Sequence, residues 1–373
     1  MTLRGFDLER LRTAGRPPES MSAPRNSGGG PRSRRRAARV PAPAVAIRGP
    51  TPPRPTVRGL LTLEALCQED EVGMSFSVAV AAERVAAPGR SRDYVSLTKP
   101  RLNLLVLVTT WVGVYLAAPG GVAPMILLHT LVGTALVAGG ASALNQVWER
   151  DTDRLMRRTH ARPLPDGRLS VAEGTWFGVL LAGCGLAELA LAVNVLCASV
   201  AMVTLVSYVL VYTPLKTRTS LSTLVGGVPG ALPPVIGWSA ATGEIASPAL
   251  VLFSIVFLWQ IPHFLAIAWL YRDDYARAGM PLLPVLEPDG RRTGQQALLY
   301  AAALWPVSLM PAVVGIADLK YSLVGTALGL VFIWLSALFA RERTTVTARR
   351  LFLFSIIYLP LLWGALVIDQ LWR

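Results

Sequence analysis

The chain has 373 residues, 53% of them hydrophobic and only 16% charged, with a formal net charge of +13. Soluble domains carry about 25% charged residues, so the bulk of this chain is expected in lipid and a water-soluble domain is excluded. The basic balance does not point to nucleic acid, because no aromatic interleaving or nucleic-acid motif accompanies it; no nucleic-acid partner is expected.

Residues 1–60 hold 13 Arg, no Lys and three acids (Asp7, Glu9, Glu19), a local charge of +10. Residues 1–92 as a whole are rich in Pro, Gly, Ser and Arg without a sustained apolar period, and are expected to form a disordered basic tail. Two readings of this tail stay open. It is a mitochondrial-type presequence, or it extends upstream of a real start at or near Met74; its Pro and Gly content favours the second. Cys67, Cys184 and Cys197 show no metal-ligand spacing, and no disulfide is expected.

From Leu102 the character changes. Nine apolar stretches follow, near 102–118, 123–145, 171–193, 196–213, 220–241, 247–270, 296–316, 321–340 and 351–370. Each is long enough to cross a bilayer core of ~30 Å as a helix. The third and fourth are separated by little more than Asn194, which predicts a tight turn. The fifth contains Gly226, Gly227, Pro229, Gly230, Pro233 and Pro234, and should be kinked or broken. Residues 93–373 are thus expected to form an all-α, polytopic membrane domain.

Charge tests the count. With the N-terminus in the cytoplasm, the inner loops carry 16 Lys and Arg, and the outer loops carry Lys320 alone. That split is what the positive-inside rule demands, and a miscount by one span would scramble it.

Two acidic groups then fall on the cytoplasmic side. In the run NQVWERDTDRLMRRTHARP, Asn145, Glu149 and Asp153 are spaced by four and stack along one helical face. A lipid-facing helix has no use for such a face, whereas Mg2+ takes oxygen ligands and bridges them to phosphates. The second group, Asp273 and Asp274, follows the sixth span in WLYRDDYARAGMPLLPV. Between the two lies a short basic loop, YTPLKTRTS, with Tyr212, Lys216 and Arg218. Acids on two loops can hold Mg2+ against a diphosphate while the bases neutralise its remaining charge.

These runs, in this order, resemble the UbiA-type intramembrane prenyltransferases. With DYVSLTKPRLNLLVLVTT (93–110), QIPHFLAIAWLYRDDYARAGMPLLPV (260–285) and GGVPGALPPVIGW (226–238), the chain is similar to the haem-farnesylating branch of that family. The resemblance implies a nine-helix bundle around a cavity open to lipid, under a cap of cytoplasmic loops. It implies farnesyl diphosphate and haem B as substrates, Mg2+ as cofactor, and haem A synthase as a partner. The short loops and the Pro- and Gly-rich character of the tail favour a bacterial cytoplasmic (inner) membrane over the mitochondrial inner membrane.

Carried onto this sequence, the resemblance places Asn145, Glu149 and Asp153 on the first metal and diphosphate motif. Arg158 and Arg162 fall on the basic stretch after it, and Tyr212, Lys216 and Arg218 on the basic loop. Asp273 and Asp274 fall on the second acidic motif, and which of them touches metal stays open. His263, in the sixth span, is assigned to the haem. Two alternatives remain: the same fold acting on an aromatic or other lipid acceptor, and a transporter that uses the carboxylates and the broken fifth helix.

Overall fold

Apolar segments in lipid must satisfy their own backbone hydrogen bonds, and a helix does so within one segment. The computed structural model describes residues 89–372, and among these every regular element is helical. In chain order they are α1 (Arg90–Leu97), α2 (Pro100–Ala117), α3 (Pro124–Trp148), α4 (Arg150–Arg154), α5 (Val171–Ala192) and α6 (Val195–Val206). A π-helical segment, Ser207–Tyr212, leads into α7 (Thr213–Leu215), α8 (Ser222–Ala231) and α9 (Pro233–Thr242). Then come α10 (Ser247–Leu270), α11 (Arg272–Arg277), α12 (Leu283–Leu286), α13 (Arg291–Val313), α14 (Leu319–Glu342) and α15 (Thr345–Leu371).

Nine stretches of the described residues are long and apolar enough to cross a membrane. They are α2, α3, α5, α6 through α7, α8 with α9, α10, α13, α14 and α15. The all-α, nine-helix architecture expected from the sequence is the one found. The expected tail lies outside the described residues apart from its last four, of which Arg90, Ser91 and Arg92 already belong to α1.

Local chemistry sets the boundaries. Asn194 alone makes the tight turn into α6: its side chain accepts from the Cys197 N–H and donates to the Ser239 carbonyl at 2.9 Å. The Ser170 and Glu173 side chains form a capping box that starts α5. The fifth span breaks where the prolines demand, α8 ending at Ala231 and α9 starting at Pro233. That broken span is the most buried of the nine. α10 packs against α8, α13 and α15, and the core between them is filled by Leu252, Ile255, Phe332, Tyr358 and Trp363. Apolar side chains such as Trp176, Leu180, Leu191 and Trp334 point outward, as lipid requires.

Helices in lipid gain little from burying apolar surface against one another, so close backbone packing carries more of the association. At the α2–α9 crossing, a Cβ on Gly113 would strike the Pro234 carbonyl, and one on Gly237 would strike the Thr110 carbonyl. Neither obstacle is a side chain that can swing aside. Gly237→Ala is therefore expected to lower the thermal midpoint of the detergent-solubilised protein by several degrees, an overpacking cost of about 1–3 kcal/mol. Gly183→Ala, where nothing lies within 4 Å of the added methyl, should leave the midpoint unchanged.

Candidate active site

The helical register predicted through the first acidic motif continues past the end of α3. The Glu149 N–H bonds to the Asn145 carbonyl at 2.9 Å, and the Asp153 N–H to the Glu149 carbonyl at 2.8 Å. Asn145, Glu149 and Asp153 therefore share one face, and all three are buried, at 1%, 6% and 1% exposure. A buried carboxylate needs a compensating charge or hydrogen bond. Each of these groups has one.

Lys216, one residue past α7, donates to Glu149 Oε1 at 2.6 Å. Arg162, in the loop after α4, donates to Asp153 Oδ2 at 2.7 Å. Lys99 donates to Asn145 Oδ1 at 2.8 Å, and the Asn145 amide donates to Thr213 Oγ1 at 3.1 Å. Lys99 achieves this from the residue before Pro100, with a left-handed backbone (φ 49°, ψ 59°). Such a conformation costs a non-glycine residue of order 1–3 kcal/mol, and strain of this kind gathers at functional sites. The π-helical segment is a second irregularity of the type found at such sites. It carries Tyr208 and Tyr212 to the same cavity, with the Lys216 ammonium 5.5 Å above the Tyr212 ring.

The electrostatics follow from this packing. Burial first, then the neighbouring Arg162 guanidinium, lowers the Lys99 pKa to about 8. Burial pushes the Glu149 carboxyl upward, but Lys216 and Lys99 outweigh it and hold the group below the usual carboxylate range. Lys216 is likewise opposed by burial, yet Tyr212 and Glu149 keep it above the ordinary lysine range.

These groups surround one cavity of about 290 Å³. Asn145, Glu149, Asp153, Arg158, Arg162, Tyr212, Lys216 and His263 all line it, as do Lys99, Tyr208, Ser222 and Thr223, to which the sequence reading gave no role. Apolar groups, among them Leu102, Phe264, Ile267 and Ala268, complete the wall. The composition is that of a ligand site, a polar end joined to an apolar one. A larger void of about 380 Å³ against α14 and α15 is almost wholly apolar and holds none of these groups.

Three expected residues are not in the lining. Arg218 is exposed. Asp273 is also exposed, and Asp274 pairs with Arg277 one turn along α11. Adjacent helical residues point about 100° apart, so one face cannot present both aspartates. The cavity-facing residue of α11 is instead Tyr275. It packs with Met156, Ala268, Met280 and Leu282 in a small core that ties the two acidic loops together. Arg158 adds a second tie, its guanidinium 5.2 Å over the Tyr271 ring.

An oxygen-seeking cation fits the first motif but not a larger cluster. Among the described residues no three His, Cys, Asp or Glu side chains come together as a metal set. Asn145, Glu149 and Asp153 do offer oxygens on one face, and the buried Asp153 Oδ1 has no hydrogen-bond partner. That orphaned oxygen is suited to a hard cation.

Known proteins share the sequence pattern and the fold. The sequence profile of the UbiA prenyltransferase family matches residues 106–358. A protoheme IX farnesyltransferase of Solibacter usitatus is 46% identical over 288 residues, 75% of this chain and 99% of that one. Its counterpart in Myxococcus xanthus is 47% identical over 293 residues, 78% of this chain and 99% of that one. Two solved structures share the fold. A digeranylgeranylglyceryl phosphate synthase superposes with a TM-score of 0.66 at 17% identity, covering 76% of this chain and 99% of that one. A UbiA homolog from Archaeoglobus fulgidus bound to GPP and Mg2+ gives 0.52 at 17% identity, with 74% and 99% covered. Buried oxygens on one helical face, cations closing over them and an apolar continuation are thus set in a nine-helix frame that known proteins share, and the chain belongs to the UbiA prenyltransferase family.

Proposed function

We propose that this chain transfers a farnesyl group from farnesyl diphosphate to the 2-vinyl group of haem B, with addition of water, to give haem O and diphosphate. The observation that carries the reading is the single cavity with an ionic end and, at His263, an aromatic one. The names of the close relatives point to the same reaction.

The reaction is heterolytic. The allylic C–O bond breaks and its electron pair leaves with the diphosphate. The vinyl carbon attacks the farnesyl cation, water adds to the resulting cation, and one proton is released. No protein nucleophile is required, so the protein's task is to stabilise the leaving group and exclude premature water. Lys99, Lys216, Arg158 and Arg162 receive the diphosphate oxygens. The faces of Tyr208 and Tyr212, whose ring centroids are 5.4 Å apart, lie where an allylic cation gains from aromatic quadrupoles. Leu102, Phe264 and Ile267 shield it from water.

Asn145, Glu149 and Asp153 would hold Mg2+, which when bound neutralises charge on the leaving diphosphate. Of the second acidic pair we assign Asp274 to the same complex, exchanging its Arg277 contact for the ion. Its side chain is only 14% exposed, whereas Asp273 is exposed. The exposed Asp273 is left out. We assign the site to the cytoplasmic face of a bacterial inner membrane, a sidedness that the charge asymmetry of the loops supports, and take haem A synthase as the recipient of the product.

Incubating purified protein with haem B, farnesyl diphosphate and Mg2+, and following the pigment by mass, tests the reading; a farnesylated, hydrated haem is expected. An aromatic acceptor consumed in its place, or no prenylated product at all, overturns it. Asp153→Asn and Glu149→Gln, which keep side-chain volume, should each lower kcat by about 100-fold or more in that assay. EDTA should stop turnover and added Mg2+ restore it. Asp274→Asn should approach the loss seen at Asp153, while Asp273→Asn should retain most activity.

A further inference from the structure

The void of about 380 Å³ between α14 and α15 takes no part in the diphosphate chemistry. Successive spans alternate in direction, so α14 begins and α15 ends at the end of the bundle remote from the ionic cavity. On α14 the lining residues Lys320, Val324 and Leu328 are spaced by four. On α15 they are Leu361, Gly364, Ile368 and Trp372, spaced by three or four. Each set is a single stripe along its helix. The stripes run antiparallel, which brings the Lys320 ammonium to 5.1 Å from the centre of the Trp372 ring. At 1.5 Å per residue they extend about 12 and 18 Å. That is the depth of one leaflet, half of a hydrocarbon core of ~30 Å.

The groove is also narrow. Its volume over that length gives a section of about 20–30 Å², whereas a helix about 10 Å across needs about 80 Å². An extended acyl chain is slender enough; a partner's helix is not. Gly364 leaves room on the floor, since a Cβ there would meet nothing within 4 Å. Within lipid an occupant gains little by escaping water, and its contribution is dispersion contact with the groove walls.

Charge at the mouth identifies the head of that occupant. Lys320 is the sole Lys or Arg in the segments that join spans at this end. The positive-inside rule collects such residues on the opposite side, so topology gives no reason for this one. Among the described residues Lys320 forms no ion pair, and its ammonium rests over Trp372. The one acid of the lining, Asp369, is buried and accepts the Asp318 N–H at 2.7 Å. A lone cation suits the single charge of a phosphodiester rather than a diphosphate. The lining holds no histidine or cysteine, so it offers an iron neither imidazole nor thiolate.

We propose that this groove binds a glycerophospholipid of the leaflet remote from the catalytic cavity, with one acyl chain between α14 and α15 and the phosphate on Lys320. The phosphate accepts a charge-assisted hydrogen bond from the ammonium, beside Trp372 as an interfacial anchor. A lysine that merely snorkels to water would explain the charge, but not its place at the mouth of a leaflet-deep groove.

The test uses the full chain, stripped of lipid in detergent, titrated with palmitoyl-oleoyl phosphatidylglycerol and weighed by native mass spectrometry. The wild type should retain one lipid. The same lipid with a photoreactive acyl chain should label residues 320–328 and 360–372. Gly364→Phe, which fills the groove, should abolish that labelling; if it fails to fold, Val324→Trp fills the same space from the facing stripe. Lys320→Gln should weaken retention by about 5-fold, and Lys320→Arg should preserve it. A diacylglycerol with the same chains should bind the wild type as weakly as the phospholipid binds Lys320→Gln. No retained lipid, labelling elsewhere, or labelling that survives the filled groove overturns the proposal. So does retention unmoved by Lys320→Gln, diacylglycerol binding as tight as the phospholipid's, or a dimer mass that excludes the lipid.

Discussion

The structure turns on the compensation of carboxylates buried at one end of an apolar bundle. Glu149 and Asp153 stand on a helical face with almost no contact with solvent, where an uncompensated charge would be expensive. Lys216 and Arg162 reach them from two other parts of the chain, and Lys99 reaches Asn145 from a third. Breaking such a buried pair by removing one partner typically costs about 3–5 kcal/mol. The same contacts that make the site electrically tolerable therefore also fix how α2, α3 and the α7 turn meet.

Those pairings leave a particular balance around the cavity. Four cations, Lys99, Arg158, Arg162 and Lys216, face two carboxylates, Glu149 and Asp153. The surplus is positive, which favours a multiply charged anion and opposes a bare divalent cation. A metal–diphosphate complex satisfies both the surplus and the orphaned Asp153 oxygen. The ionic end is thus matched to a chelate.

Much of this was legible in the sequence, because the constraints involved are local or one-dimensional. Span length, the break at Pro233 and Pro234, and the turn at Asn194 follow from hydropathy, proline sterics and capping. The Asn145–Glu149–Asp153 face follows from helical periodicity alone. What escaped were contacts between distant segments. Lys99 meets Asn145 across 46 positions from a left-handed backbone that no periodicity announces. The signal available was compositional: it is one of three lysines in an arginine-rich chain. The adjacent Asp273 and Asp274 were ambiguous because a doublet on a helix cannot present both members to one side. Only packing shows that Tyr275 takes the inward position. Arg218, two residues past Lys216, is exposed and lies outside the cavity lining.

The π-helical segment has a consequence for how the fourth span can change. Its wider turns accommodate one residue more than an α-helix of the same rise, and Tyr212, Thr213 and Lys216 all lie at or beyond it. Losing one residue between Ser207 and Tyr212 would let the segment relax into regular helix, and because the wide turns had absorbed the extra residue, the groups downstream would keep roughly their orientation. Losing one from the regular turns of α6 would instead rotate Tyr212, Thr213 and Lys216 by about 100° and swing the Glu149 counter-ion off its partner. In this span the π-helical segment is the stretch that can absorb a deletion, while the regular turns before it cannot.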